Sequence, residues 1–296
     1  MSSFRSGFVS FVGRPNVGKS TLTNALVGEK VAITSAKPQT TRRAIRGIVN
    51  LQDGQLIVVD TPGLHRPRTL LGERLNDLVE STLSDVDVIG FCIPADEKIG
   101  PGDMFINEQL DKFRRAKLVA IVTKSETVSK DRLAEQLVAV SKLRNWQEVV
   151  PVSAIAGDQI ELLGRILVPL LPESPALYPQ DMTTDESIEQ RICELIREAA
   201  LEGVRDELPH SLAVTIDEFG VREGTELMDI HANVWVERDS QKGIVIGKGG
   251  SRLKQVGSES RAEIEKLLGR KVFLSLRVKV APDWQKDPKA LGRLGF

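Results

Sequence analysis

A chain of 296 residues, 41% apolar and 27% charged, is about two ordinary domains long and has enough apolar side chains to build their cores. Forty Lys/Arg against forty-one Asp/Glu give a net charge of −1, which excludes a whole-molecule electrostatic grip on nucleic acid or membrane. The balance is uneven, because residues 240–296 carry a net +8 and the rest of the chain −9. A polyanion would be met by the C-terminal fifth. Two cysteines, Cys92 and Cys193, cannot form a disulfide framework, and buried free thiols in a reducing compartment are expected. The N-terminus has no apolar core of signal-peptide length before Gly13 and Arg14, and no run approaches the roughly 18 apolar residues of a membrane span. A cytoplasmic protein is expected.

In chain order, Phe8–Val12, Leu56–Val59, Val86–Pro94, Leu118–Val122 and Val149–Val152 are near-continuous apolar runs, the pattern of strands buried on both faces of a parallel sheet. Ala44–Asn50 is a candidate added strand, and amphipathic segments such as Asp131–Leu143 lie between the runs. This predicts an α/β domain over residues 1–172 with a mostly parallel sheet and helices on both faces. Residues 173–184, proline-bearing and without periodicity, read as a linker. Beyond it, Ile188, Ile192, Leu195, Ile196 and Ala199 mark one helix face that fades near Gly203. Strands at Ser211–Glu218 and Leu227–Glu237 follow, then a short helix near Gln241–Ile246 and a longer one using Leu253, Val256, Ile264 and Leu267. Alternation over Val272–Val280 gives a last strand. The predicted order is helix–strand–strand–helix–helix–strand over residues 185–285, an α+β module, with 286–296 as a tail.

Gly13-Arg14-Pro15-Asn16-Val17-Gly18-Lys19-Ser20, with Thr21 next, fits the phosphate-binding loop pattern between a strand and a helix. Its glycines let backbone N–H groups converge on phosphate oxygens, at a helix N-terminus that adds positive potential. Lys19 is then the residue for the β and γ phosphates, and the Ser20 hydroxyl a Mg²⁺ ligand. Asp60-Thr61-Pro62-Gly63 follows the strand at Leu56–Val59, which suits Asp60 as a Mg²⁺ ligand through water and Gly63 as an N–H donor to the γ-phosphate. Between them, Pro38-Gln39-Thr40-Thr41-Arg42 reads as a switch whose threonine hydroxyl would reach Mg²⁺; Thr41 is the first choice and Thr40 the second. Thr123-Lys124-Ser125-Glu126 and Ser153-Ala154-Ile155 follow the last two strands, where base recognition belongs.

Together the five elements resemble the Ras-like GTPases across residues 7–172, and their wording resembles the bacterial translation-factor-like branch. The departure is at the base site, where the family pattern is Asn-Lys-x-Asp. Glu126 keeps the carboxylate that guanine recognition needs, one methylene further out. Thr123 is expected to lose an amide that would brace the phosphate loop and the base, and Lys124 to keep the stem that stacks on the ring. GTP is expected over ATP, held more loosely. Leu64 stands where such enzymes often place a glutamine that orients water, so intrinsic hydrolysis should be slow. The resemblance implies that Asn16 can help hold an activating K⁺.

Val245-Ile246-Gly247-Lys248-Gly249-Gly250-Ser251-Arg252 holds a G-x-x-G loop between two helices. In its element order it resembles a bacterial, type II KH domain. Such a turn brings N–H groups and Lys248 against the phosphates of unpaired nucleotides, beside an aliphatic groove that would use Ile244 and Ile246. Lys242, Arg252 and Lys254 add charge and hence salt dependence. His65, His210 and His231 have no metal-ligand spacing.

A GTPase domain followed by a KH domain resembles the ribosome-assembly GTPases. That resemblance implies GTP/GDP and Mg²⁺ as cofactors, and the small ribosomal subunit and the 3′ end of its rRNA as partners, under nucleotide-state control. It also implies peripheral membrane association, and a monomer is expected. Two other classes remain at this point: a P-loop ATPase or kinase with relaxed base specificity, and an RNA-binding protein with a vestigial nucleotide domain.

Overall fold

The computed structural model describes residues 4–35, 37, 40–63, 69–202 and 211–294, which fall into two compact units, the first built mainly on residues up to 185 and the second on those from 186. In the first unit, β1 (Arg5–Val12), β2 (Ile45–Leu51), β3 (Gly54–Asp60), β4 (Val88–Pro94), β5 (Lys117–Thr123) and β6 (Val149–Pro151) form one sheet in the order β2-β3-β1-β4-β5-β6. β1 runs parallel to β3 and β4, and β5 parallel to β4 and β6. β2, the added strand of the sequence pattern, pairs antiparallel with β3 through a two-residue turn.

Continuous apolar runs become strands here because both faces are covered. Along β4, Val88 and Cys92 pack into one core, with Leu22 of α1 (Lys19–Val27) and Leu163 of α5 (Ile160–Leu167). Ile89, Phe91 and Ile93 point the other way. They join Val79 and Leu83 of α2 (Leu70–Asp85), Ile106 of α3 (Pro101–Gln109) and Val140 of α4 (Lys130–Ser141). Every residue of β3 and β4 is buried, so the carboxyl ends of these strands are held by packing on both sides.

The segment expected as a linker runs along this unit as a strap. Gln55, fully buried, accepts from the backbone N–H groups of Leu177 and Tyr178 at 2.8 and 2.9 Å and donates to the Tyr178 carbonyl. Ile48 N–H donates to the Thr183 carbonyl at 2.8 Å, and Asn50 to that of Gln180. Prolines keep the strap from forming a regular strand, and one buried amide supplies the partners that a strand would have found.

The second unit has α6 (Ile188–Leu201), β7 (Ala213–Val221), β8 (Met228–Val236), α7 (Asp239–Ile246), α8 (Ser251–Leu268), β9 (Val272–Val280) and α9 (Pro288–Leu294). Ser187 and Gln190 form a reciprocal capping box that starts α6; its expected end near Gly203 lies outside the described residues. β8 is central, antiparallel to β7 and parallel to β9. The tail is corrected to a packed helix: Leu291 and Leu294 of α9 are buried, and Trp284 is fully buried with its indole N–H donating to the Ser211 carbonyl at 3.1 Å. Proline opens this helix and the two leucines, three apart, give it a face to bury.

Candidate functional site

The loop between β1 and α1 has the backbone that its glycines predict. Gly13 has φ +155°, and a Cβ there would stand 2.6 Å from the Cys92 carbonyl oxygen of β4. Gly18, at φ +98°, is the N-cap of α1, and Asn16 at the exposed tip takes φ +64°. Lys19, in the first turn of α1, is buried and turns back into the loop, where its ammonium donates to the carbonyls of Gly13 at 3.1 Å and Arg14 at 3.0 Å. Burial pushes its pKa down, opposed by the charge of Asp60.

Three oxygens converge beside it. Ser20 Oγ donates to Asp60 Oδ2 at 2.6 Å, Thr41 Oγ1 donates to the same oxygen at 3.1 Å, and the two hydroxyls lie 3.0 Å apart. Of the two threonines, Thr41 is the one brought to the cluster; Thr40 turns its hydroxyl to the Lys37 carbonyl. Burial raises the Asp60 pKa, while Ser20, Lys19 and Thr41 pull it back. Among the described residues, Asp60 Oδ1 and Thr61 Oγ1 are buried without a hydrogen-bond partner. Pro62 is buried, and a Cβ at Gly63 would stand 3.5 Å from Lys19 Nζ, so the carboxyl end of β3 closes directly on the loop. Thr21 lies half-buried in α1. Leu64 and His65 lie outside the described residues, as does His210.

Thr123 requires a correction. Its hydroxyl donates to the Val17 carbonyl at 2.6 Å and is buried, so the brace between the base loop and the phosphate loop is kept by a shorter side chain. The hydroxyl proton is thereby committed to the loop, whereas an asparagine amide has further atoms to offer a base. Lys124 follows in the left-handed conformation at φ +57°, and Ser125 N–H donates to the Val152 carbonyl. Glu126 sits exposed on the single turn Ser125–Thr127. Ser153 is fully buried and its hydroxyl accepts from Ala156 N–H, while Ala154 is half-buried and Ile155 protrudes 81% exposed. The residues expected to recognise the base thus stand at the ends of β5 and β6.

Sequence reasoning did not find what holds Arg14. Its Nε donates to Asp103 Oδ1 at 2.8 Å and its Nη2 to Glu97 Oε2 at 2.8 Å. Asp103 lies in the first turn of α3, where Gly100-Pro101-Gly102-Asp103 is a helix-start signal that could have drawn attention to it.

In the second unit, Gly247 has φ +74°, and a Cβ there would stand 2.7 Å from Arg252 Cβ. Gly249 and Gly250 take φ +61° and +79° with open space around them, and Lys248 is exposed between α7 and α8. Lys254 is exposed, Lys242 half-buried, Ile244 54% exposed and Ile246 half-buried, so cations and an aliphatic patch flank the loop. Arg252, expected to add charge beside the loop, donates its guanidinium to the Ala200 and Glu202 carbonyls at the end of α6. His231 lies 4.0 Å from Glu218, and among the described residues no His/Cys/Asp/Glu group could hold a metal ion. No helix among them is long and apolar enough to cross a membrane.

Residues 8–124 match the family model of 50S ribosome-binding GTPases, and residues 207–285 that of the KH domain. The chain is 65% identical over 299 residues to GTPase Era of Mycolicibacterium smegmatis, and 65% identical over 300 residues to that of Mycobacterium tuberculosis, with both chains covered in full in each case. It is also similar to a crystal structure of Era with MgGDPNP and nucleotides 1506–1542 of 16S ribosomal RNA, at a TM-score of 0.94, 36% identity and 99% of each chain. The same values hold for an Aquifex aeolicus Era variant bound to GDP and AlF₄⁻.

Proposed function

The chain belongs to the GTPase Era family, and on that premise we propose that it binds GTP and GDP with Mg²⁺, hydrolyses GTP slowly, and acts in small-subunit ribosome assembly in the cytoplasm. Residues 185–285 bind the 3′ region of small-subunit rRNA, and nucleotide state sets that affinity. One observation supports the chemistry most directly, the convergence of Ser20, Thr41 and Asp60 on one point beside Lys19.

The residues fit a hard divalent cation. Two hydroxyls and a carboxylate meet in a largely buried position, and Asp60 Oδ1 has no hydrogen-bond partner among the described residues. Ser20 and Thr41 would hold Mg²⁺ directly and Asp60 through water. When bound, the ion neutralises charge on the β and γ phosphates. Lys19 exchanges its two carbonyl partners for phosphate oxygens, which relieves the desolvation of its buried ammonium. Thr41 holds the ion only while the γ-phosphate is bound, and its release makes Pro38-Gln39-Thr40-Thr41-Arg42 a switch. Glu126 selects guanine over adenine, and Asn16 is the residue through which K⁺ would raise turnover.

Competition of GTP, GDP and ATP against labelled GDP, with Mg²⁺ and the full-length protein, tests this. GTP and GDP should compete and ATP should not. K19A should lose nucleotide binding and keep binding to an oligonucleotide of the rRNA 3′ end. Equal competition by ATP would overturn the reading.

A further inference from the structure

The loop that follows β4 reaches both halves of the nucleotide site. Asp96 Oδ2 lies 3.9 Å from Lys124 Nζ, and Glu97 and Asp103 both bind Arg14. These contacts differ in kind. The Asp96 and Glu97 side chains are 37% and 47% exposed, where ion pairs contribute little. Asp103 is fully buried, and its second oxygen accepts from Gly100 N–H at 2.9 Å, so the first turn of α3 fixes its orientation. A charge-assisted bond from such a carboxylate is strong and directional. Position 102 leaves room for it: a Cβ on Gly102 would stand 2.8 Å from Arg14 Cδ. On the far side of Arg14, the main-chain carbonyl receives the Lys19 ammonium at 3.0 Å. A line of contacts therefore runs from Gly100 through Asp103 and Arg14 to Lys19.

We propose that Asp103 is a positioning residue for nucleotide binding, which fixes Arg14 and through it the phosphate-loop carbonyls that hold Lys19. The proposal rests on the reading of this loop as a GTP/GDP site. Asp103 meets Arg14 through one oxygen and Gly100 N–H of the α3 turn through the other, so the two roles can be separated. Without the link, the loop has to be ordered by the nucleotide itself, and the loss falls on affinity for both nucleotides alike.

The test is D103N in the full chain. Asparagine keeps an acceptor for Gly100 N–H but turns an amide donor toward Arg14 Nε, donor against donor. GDP and GTP affinities with Mg²⁺ should each fall roughly tenfold, with KM rising more than kcat falls. In R14Q/D103N the two amides can pair, so the double variant should lose no more than either single one. A carboxylate that merely caps α3 predicts D103N with normal affinities, and that result, or losses that add in the double variant, would overturn the proposal. Should D103N not fold, R14K carries the test: it keeps the charge beside Asp103 but not the guanidinium fork, and unchanged affinity would overturn the link equally. A wild-type chain that failed to bind guanine nucleotide would overturn the functional reading beneath it instead.

Discussion

Replacing Thr123 by valine removes one hydroxyl and preserves the volume and branching of the side chain. That hydroxyl is 2.6 Å from the Val17 carbonyl, in a position only 4% exposed, so water cannot take its place without rearrangement. Leaving a buried carbonyl unpaired costs about 1–3 kcal/mol. For a unit of this size each kcal/mol lowers the unfolding midpoint by roughly 2–4 °C, so T123V should unfold about 2–12 °C below the wild type without nucleotide.

Part of that cost moves into binding. Val17 lies between Asn16 and Gly18, inside the proposed phosphate-binding loop, and an unbraced loop must be ordered when nucleotide arrives. If about half the cost, ~0.5–1.5 kcal/mol, appears there, the Kd for GDP rises roughly two- to tenfold. Differential scanning calorimetry of the nucleotide-free protein and titration calorimetry with GDP measure the two parts. T123S is the control: it keeps the hydroxyl, and should bind GDP as the wild type does. Equal behaviour of T123V and T123S in both assays would refute the argument, because the hydroxyl is what distinguishes them.

Two further outcomes follow from the geometry. G247A must place a Cβ 2.7 Å from Arg252 Cβ on a backbone at φ +74°, so it should weaken binding to an rRNA 3′-end oligonucleotide roughly tenfold in a gel-shift assay while GDP titration is unchanged. Burial pushes the Cys92 thiol up to about 12, from 9.0, and a pKa raised in the folded state gives stability that is whole below the ordinary thiol range and lost as pH rises through about 12. At pH 8, Cys92 should therefore resist a thiol reagent in the native protein and react in denaturant, as mass spectrometry after labelling would read.

The sequence was most informative where chemistry is written in a short stretch. Gly13 to Ser20 must supply loop, helix N-terminus, ammonium and hydroxyl within eight residues, and the structure has each in the place the spacing implies. Asp60 and Gly63 were legible for a related reason: in an open α/β sheet ligands bind outside the carboxyl ends of the strands, and an acid placed there by a buried strand stands out. Ser20, Thr41 and Asp60 then come together because β3 lies beside β1 in the sheet, a parallel pairing that the run of apolar strands already suggests. The second unit was legible as an order of elements, down to the alternation of β9.

The residues that were misread or missed are those that act across long separations. Thr123 reaches Val17 over 106 positions, and Arg14 reaches Asp103 over 89. Neither partner is marked by periodicity, because a single polar contact has none. Residues 173–184 read as a linker because prolines remove the usual signals, yet one buried glutamine, Gln55, holds Leu177 and Tyr178. The contacts of Arg252 with the Ala200 and Glu202 carbonyls at the end of α6 were not legible either, because charge in a sequence carries no direction. The division has a physical basis. Groups that touch phosphate or metal must be close in space to one small ligand, and short loops meet that demand most simply. Groups that hold those loops still need only be buried and paired, and any strand or helix that passes nearby can supply them. Affinity should therefore respond to Thr123 and Asp103, outside the phosphate-loop motif, as well as to Lys19 within it.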